Sequence, residues 1–331
     1  MSESSLSIGL PELSQAVGFY LGYGRGQDVS WTATQLAEIL GVVQSGVRRV
    51  YYPPAVDAGT VGYEWSWLRP NEYLNIYGRY NVGTIAIVSG VVTLTGGVWP
   101  SWAASGYLTA TTVSQQGAVA SRDSDTQITL VDTTVNLVSG SAYSIGKIAY
   151  DLPDNFGRLI GTLHYPEAAY RHTIQIVPAS RIVDMYAYSN LTDDPTYAAV
   201  RYKADDGSYG QRQELLLFPT PTAPWTLSYE YEAYSGALSD DFPYPLGGMQ
   251  LAELYIESCL ALAETRINDA IGQHAQQFSV LLIDAVARDR KRGAQRYGAM
   301  GHKERGDGDR DWLLHGMTGP PYPIMYHGEM I

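Results

Sequence analysis

Hydrophobic residues recur with two different periods along this chain. Helical spacing, with apolar residues three or four positions apart, covers the stretches 9–22, 32–51, 248–270 and 274–292. Between these two pairs of predicted helices, from about residue 70 to residue 235, apolar and polar residues alternate instead. The period changes from helical to alternating and back to helical. This pattern predicts that two N-terminal and two C-terminal helices pack together and that a β-rich region is inserted between the two pairs.

The predicted helices have recognisable boundaries and faces. Thr32 and Gln35 have the spacing of a capping box at the start of the second helix, and Pro53-Pro54 ends it. Its apolar residues are Leu36, Ile39, Leu40, Val43 and Val47. In the last helix the apolar stripe consists of Phe278, Leu281, Leu282, Ala285 and Val286. Each helix is therefore expected to turn one face toward a core.

Two local patterns dominate the β-rich region. The β-branched run 84–94 is interrupted by Ser89-Gly90, which predicts a hairpin, and apolar residues alternate with polar ones in 225–234, which predicts a half-buried strand. The other predicted strands are 126–138, 143–150, 173–177, 198–203 and 213–218. Many short strands separated by turn residues favour an antiparallel sandwich or barrel.

The predicted fold class is therefore α+β, with a four-helix core that carries a large antiparallel β-sandwich or barrel as an insertion. Residues 1–69 and 236–292 form the predicted helical core, and residues 70–235 form the β domain. Residues 293–331 have no periodic apolar face and form a predicted extended C-terminal arm.

The C-terminal segment is unusually apolar for a solvated tail. Its large apolar residues are Trp312, Leu313, Leu314, Tyr322, Ile324, Met325 and Tyr326. A cluster of basic residues precedes them: Arg288, Arg290, Lys291, Arg292 and Arg296. The basic cluster has two interpretations: cations that suit the C-terminus of a helix, or an anchor for an acidic partner surface or a DNA backbone. The apolar residues favour burial against another chain.

Charge narrows the possible functions. The net charge is −12, and residues 288–331 hold eight Lys or Arg and six Asp or Glu, so residues 1–287 hold 14 and 28. Such an acidic body argues against general nucleic-acid binding through a basic patch. The lone Cys259 leaves no disulfide framework, and neither a signal peptide nor an apolar run long enough to cross a bilayer is evident. No contact with a membrane and assembly in a cytoplasm are expected.

Candidate catalytic and ligand motifs each lack a residue that their chemistry requires. The stretch 140–147 resembles a phosphate-binding loop but has an extra residue between its glycines, and Ile148 replaces the hydroxyl that binds magnesium. Asp307, Asp309 and Asp311 have the spacing of a calcium loop without its glycine and final glutamate. No catalytic residue, metal or cofactor is therefore predicted, and the chain is not expected to be an enzyme.

Three stretches together resemble the head-to-tail connector, or adaptor, proteins of tailed bacteriophages. They are 21–54 with 63–70, 96–106 with 150–159, and 214–234 leading into the C-terminal helices. The resemblance implies a structural virion protein of the neck whose helical core assembles into a ring, commonly of twelve copies, beneath the portal protein. It also implies that residues 293–331 dock on the portal, and that a tail or nozzle protein lies on the other side.

The resemblance agrees with the charge, because an acidic ring suits a channel through which DNA passes without sequence-specific binding. An alternative is a β-rich binding or decoration module on the tail or capsid that recognises a glycan or another virion protein. A glycan hydrolase is a further alternative, for which the sequence provides no positive signal.

Overall fold

The computed structural model describes residues 4–26, 30–54, 62–110, 115–169, 171–189, 191–204, 207, 210–268, 272–292, 325–326 and 329–330. The chain divides into two compact units, Met1–Ala287 and Arg288–Ile331. The fold class is α+β, as predicted, and the described residues form five helices and a large curled antiparallel sheet.

The five helices are α1 Leu10–Tyr20, α2 Ala33–Tyr51, α3 Ala179–Tyr188, α4 Ala252–Asn268 and α5 Gln273–Arg292. The predicted capping box is confirmed: Gln35 N donates to Thr32 Oγ1 over 3.3 Å, and Thr32 N donates to Gln35 Oε1 over 2.9 Å. The helix α3 was not predicted from the sequence.

One buried apolar cluster draws on α1, α2, α4 and α5. One close contact joins α2 to α4, where a Cβ atom added to Gly46 would lie 2.5 Å from Cys259 Sγ. Trp65 is buried in the same cluster and donates its indole N–H to Val50 O over 2.7 Å. These contacts place N-terminal and C-terminal segments of the chain in one core.

The strands are β1 Asn71–Ile76, β2 Thr84–Val88, β3 Val91–Thr95, β4 Tyr107–Ala110, β5 Gln115–Arg122, β6 Gln127–Leu130, β7 Leu137–Ser141, β8 Tyr143–Gly146, β9 Ala149–Asp151, β10 Phe156–His164, β11 Gln175–Ile176, β12 Tyr197–Tyr202, β13 Gln213–Phe218, β14 Trp225–Ala233, β15 Met325–Tyr326 and β16 Glu329–Met330. The predicted hairpin at Ser89-Gly90 is confirmed, since both residues have positive φ and β2 pairs antiparallel with β3.

The largest sheet has the strand order β7-β2-β3-β6-β5-β4-β8. Its two outermost strands, β7 and β8, are consecutive in the chain and separated by Ala142 alone. The sheet therefore curls until its two ends meet in one bent stretch of backbone. Within the sheet, β7 pairs with β2 and β8 pairs with β4, and an isolated bridge joins Tyr80 to Ile145 of β8.

Two smaller sheets complete the β region. Their strand orders are β1-β14-β10 and β11-β12-β13-β9, and Ile182 of α3 is buried against the second sheet. One part of the antiparallel prediction is wrong, because β11 pairs with β12 in parallel.

The predicted strand 126–138 is also wrong in its extent. The structure has a strand only over Gln127–Leu130, and β7 begins at Leu137. Asp132 Oδ1 accepts hydrogen bonds from Thr134 N over 2.9 Å and from Thr134 Oγ1 over 2.7 Å. This side-chain capping favours a turn over a continued ladder.

Candidate functional site

Most of the predicted docking arm lies outside the described residues, including Trp312, Leu313, Leu314, Tyr322 and Ile324. The backbone of Met325 and Tyr326 forms β15, which pairs antiparallel with β16. Docking by these side chains remains a prediction.

The basic cluster lies at the end of α5. Arg288, Arg290 and Lys291 are exposed in its last turns, and Arg292 is its final residue. The side chain of Arg292 and the whole of Arg296 lie outside the described residues. The three exposed cations are placed where a helix C-terminus favours positive charge, so both interpretations of the cluster stay open.

The helix α5 has a second apolar face, which is separate from its predicted apolar stripe. Phe278 and Leu282 are buried in the helical cluster, whereas Val280 is 67% exposed and Ile283 is 54% exposed. Residues 280 and 283 are three positions apart and share one side of the helix. We call Val280 and Ile283 the outer face of α5.

Contacts at its N-terminus and along its inner face fix α5 in place. Glu264 of α4 accepts hydrogen bonds from Gln273 N and His274 N, each over 3.2 Å, and so caps the helix. His274 Nδ1 lies 2.8 Å from Glu257 Oε2. The guanidinium of Arg49 lies 4.5 Å from the centroid of the Phe278 ring. These contacts fix the position of α5, and therefore of its outer face, on the helical cluster.

A groove of about 630 Å³ runs between α1, α2 and the segment before α4. Apolar side chains from all three line it, and they are Leu10, Pro11, Trp31, Leu36, Leu40 and Leu238. Trp31 donates its indole N–H to Gly24 O over 3.3 Å. A Cβ atom on Gly18 would lie 2.6 Å from the Trp31 ring, so this close approach requires a small residue. We call this feature the α1–α2 groove.

Further apolar and acidic residues flank the α1–α2 groove. Phe242 is 76% exposed, and the exposed Asp240 and Asp241 precede it. Leu10 N donates to Pro243 O over 2.7 Å, which ties this segment to the start of α1. The described α5 residues contribute nothing to the groove lining, so the groove and the outer face of α5 are two separate surfaces.

A cavity of about 250 Å³ lies in the β region, between β4 and β8 on one side and α3, β12 and β13 on the other. Its wall combines apolar side chains with hydroxyls and two arginines: Arg79, Tyr107, Thr109, Ser144, Ile148, Ile182, Val183, Tyr186, Thr192, Arg201, Leu216 and Thr220. A cavity with a mainly apolar wall and a few polar groups is typical of a small-molecule site.

The stretch 140–147 and Cys259 lie in surroundings that favour structural roles. Residues 140–146 lie in β7 and β8 and the Ala142 junction between them, and a strand rather than a helix follows. The ammonium of Lys147, just after β8, lies 5.1 Å from the centroid of the Tyr150 ring. Burial raises the pKa of the Cys259 thiol to about 12, which disfavours the nucleophilic thiolate. Among the described residues, no group of three His, Cys, Asp or Glu side chains is placed to hold a metal ion.

Neither the family models nor the curated proteins compared with this chain gave a match. None of the helices in the described part of the chain combines the length and the apolar character that crossing a bilayer requires.

Proposed function

We propose that this chain is a structural virion protein that forms a ring and joins a portal to a tail around the channel for DNA. In this proposal residues 1–69 and 236–292 are a four-helix connector core, residues 70–235 are an inserted domain, and residues 293–331 are the docking arm. The connector-like stretches of the sequence and the acidic body support it.

The single observation that carries the proposal is the outer face of α5. The inner face of α5 fills a core, and Val280 and Ile283 on its other side are exposed to water. Neighbouring exposed apolar residues are typical of an interaction surface. The α1–α2 groove, on other helices, offers an apolar recess of a different shape.

These two surfaces suit contact between copies of the chain. An interface that joins two different patches is heterologous, and it closes into a ring when the rotation between copies allows it. The groove is flanked by Asp240 and Asp241, whereas α5 continues into Arg288, Arg290 and Lys291. Opposite charges on the two partners favour the correct pairing over other arrangements.

Native mass spectrometry of the wild-type chain, alone and with a portal, tests the proposal. A ring is expected, and the double variant Val280→Glu/Ile283→Glu should be monomeric with an unchanged melting temperature. Burial of such side chains contributes about 1.5–3 kcal/mol each, and a buried unpaired carboxylate opposes association. Thr93→Glu/Thr95→Glu adds the same two negative charges at exposed positions of β3 and should still form the ring.

A ring that survives Val280→Glu/Ile283→Glu unchanged would show that the outer face of α5 is not the interface. A wild-type monomer or trimer that binds a glycan would favour the binding-module alternative.

Deletion of residues 300–331 should leave the ring intact and abolish attachment to the portal. Attachment with unchanged affinity would contradict a docking role for the arm.

A further inference from the structure

The cavity in the β region has features that a ring-forming role does not explain. It lies between the curled sheet and the layer formed by α3, β12 and β13. Gly146 of β8 approaches the loop after β13 so closely that a Cβ atom would lie 2.6 Å from Thr220 Cγ2. The cavity is thus a recess between two elements in firm contact.

Arg79 is the principal cation of this cavity. Its backbone N–H donates to Pro221 O over 3.1 Å, Nη1 donates to Thr192 Oγ1 over 3.0 Å, and Nη2 donates to Ser144 Oγ. A guanidinium has five N–H donors, and these two side-chain bonds use two of them. The side chain is held on both terminal nitrogens and retains donors for a further acceptor.

The other charged group of the cavity is already neutralised. Arg201 Nε lies 2.5 Å from Glu214 Oε1. Among the described residues no ion pair to a carboxylate is found for Arg79, whose partners are hydroxyls. The cavity therefore carries a net charge of +1. This charge suits a singly charged anion better than a dianion.

The apolar side chains of the cavity wall determine which uncharged part the ligand must have. Ile182 and Leu216 are buried on the side formed by α3 and β13, and Ile148 and Val183 extend this apolar surface. Tyr186 donates its hydroxyl to Leu217 O over 2.6 Å, so its ring adds to the wall while its polar atom is satisfied. A bound molecule needs an apolar body next to its anionic group.

We propose that this cavity binds a small carboxylic acid, with the carboxylate on Arg79 and the hydroxyls around it and the apolar body against Ile182, Val183 and Leu216. Arginine suits this role because its planar fork matches a carboxylate with two parallel hydrogen bonds. The volume of about 250 Å³ restricts the ligand to a single ring or a short branched chain.

Isothermal titration calorimetry of the full chain with benzoate, isovalerate and glucuronate tests this site, and benzamide, isovaleramide and glucose serve as the uncharged counterparts. At least one acid should bind, and its counterpart should bind about tenfold more weakly or not at all, since charge-assisted hydrogen bonds are the stronger ones. The preferred acid identifies the body that the apolar wall selects.

Three variants locate the binding. Arg79→Gln should weaken it about tenfold or more, and Val183→Trp should block it by filling the cavity from an exposed position of α3. Arg181→Gln removes an exposed arginine of α3 that does not line the cavity, and it should leave affinity unchanged. Thermal unfolding establishes that each variant is folded. Failure of all three acids to bind, or binding that Arg79→Gln and Val183→Trp leave unchanged, would overturn the proposal.

Discussion

The curled sheet and the helical cluster complete their structures in different ways. In the sheet, backbone hydrogen bonds join neighbouring strands, and the chain itself joins the two end strands, β7 and β8, through Ala142. In the helical cluster, the backbone ladders are internal to each helix, and side chains join one helix to another by packing and by hydrogen bonds such as that from Ser258 Oγ to Gly46 O. The strands of the sheet are therefore bound to one another through their backbones, whereas a helix keeps an outer side that can accept another layer.

This difference explains where the two candidate sites occur. The outer face of α5 is a surface that helical packing leaves uncovered, and it is the surface that we propose for contact with a second copy of the chain. The cavity at Arg79 is a recess between the curled sheet and the layer of α3, β12 and β13, and it is the site that we propose for a small molecule. The two regions are also expected to differ in the substitutions and conditions that lower their stability.

The largest effect is expected from Ile128→Ala in the curled sheet. Ile128 is fully buried, and truncation of such a side chain costs about 2–5 kcal/mol in the free energy of unfolding. Hydrogen-exchange mass spectrometry should show faster exchange in 84–146 and unchanged protection in α4. Val131→Ala, at an exposed position, should change stability by less than about 0.5 kcal/mol. Equal loss of protection in α4 would mean that the two regions unfold as one.

Local sequence signals predicted the elements that local chemistry determines. The capping box of Thr32 and Gln35 and the turn at Ser89-Gly90 each involve residues close in sequence, and both are confirmed. Helix α3 is only ten residues long, and its apolar stripe of Ile182, Met185 and Tyr186 is too short to be distinguished by periodicity from the strands around it. The parallel pairing of β11 with β12 depends on distant parts of the chain, which periodicity does not report.

The candidate sites were harder to predict than the fold. Arg79 meets Ser144 and Thr192 across 65 and 113 positions of sequence, and no motif connects residues so far apart. Val280 and Ile283 were visible as apolar residues beside the predicted stripe of α5. Their exposure follows from the way that the helix is rotated against its neighbours, and the amphipathic pattern alone does not fix that rotation.

A smaller effect is expected from Gly46→Ala in the helical cluster. The added methyl group would meet the backbone and Sγ of Cys259 within 3 Å, so α2 and α4 would have to separate, at a cost of about 1–3 kcal/mol. Gly41→Ala is the matched control on the same helix, because nothing lies within 4 Å of its added Cβ atom. It should raise stability by about 0.5–1 kcal/mol through helix propensity. Chemical denaturation measures both changes, and equal effects of the two substitutions would contradict close α2–α4 packing.

The smallest effect concerns alkaline pH in the β region. Burial raises the pKa of Tyr186 to about 12 from its ordinary value of 10.0. A group with a raised pKa in the folded state stabilises the fold fully below pH 10, and that contribution is lost as the pH rises from 10 to 12. At pH 11 the loss should be about 1 kcal/mol.

Tyr186→Phe separates this ionisation from other effects of alkali. The variant loses the hydrogen bond to Leu217 O at every pH, so its stability near neutrality should be lower by about 1 kcal/mol. Between pH 9 and 11 its stability should then fall less steeply than that of the wild type, because the ionising hydroxyl is gone. Denaturant titrations across this range measure both slopes. Identical slopes would show that the Tyr186 hydroxyl is not the buried, neutral group that its packing against β13 implies.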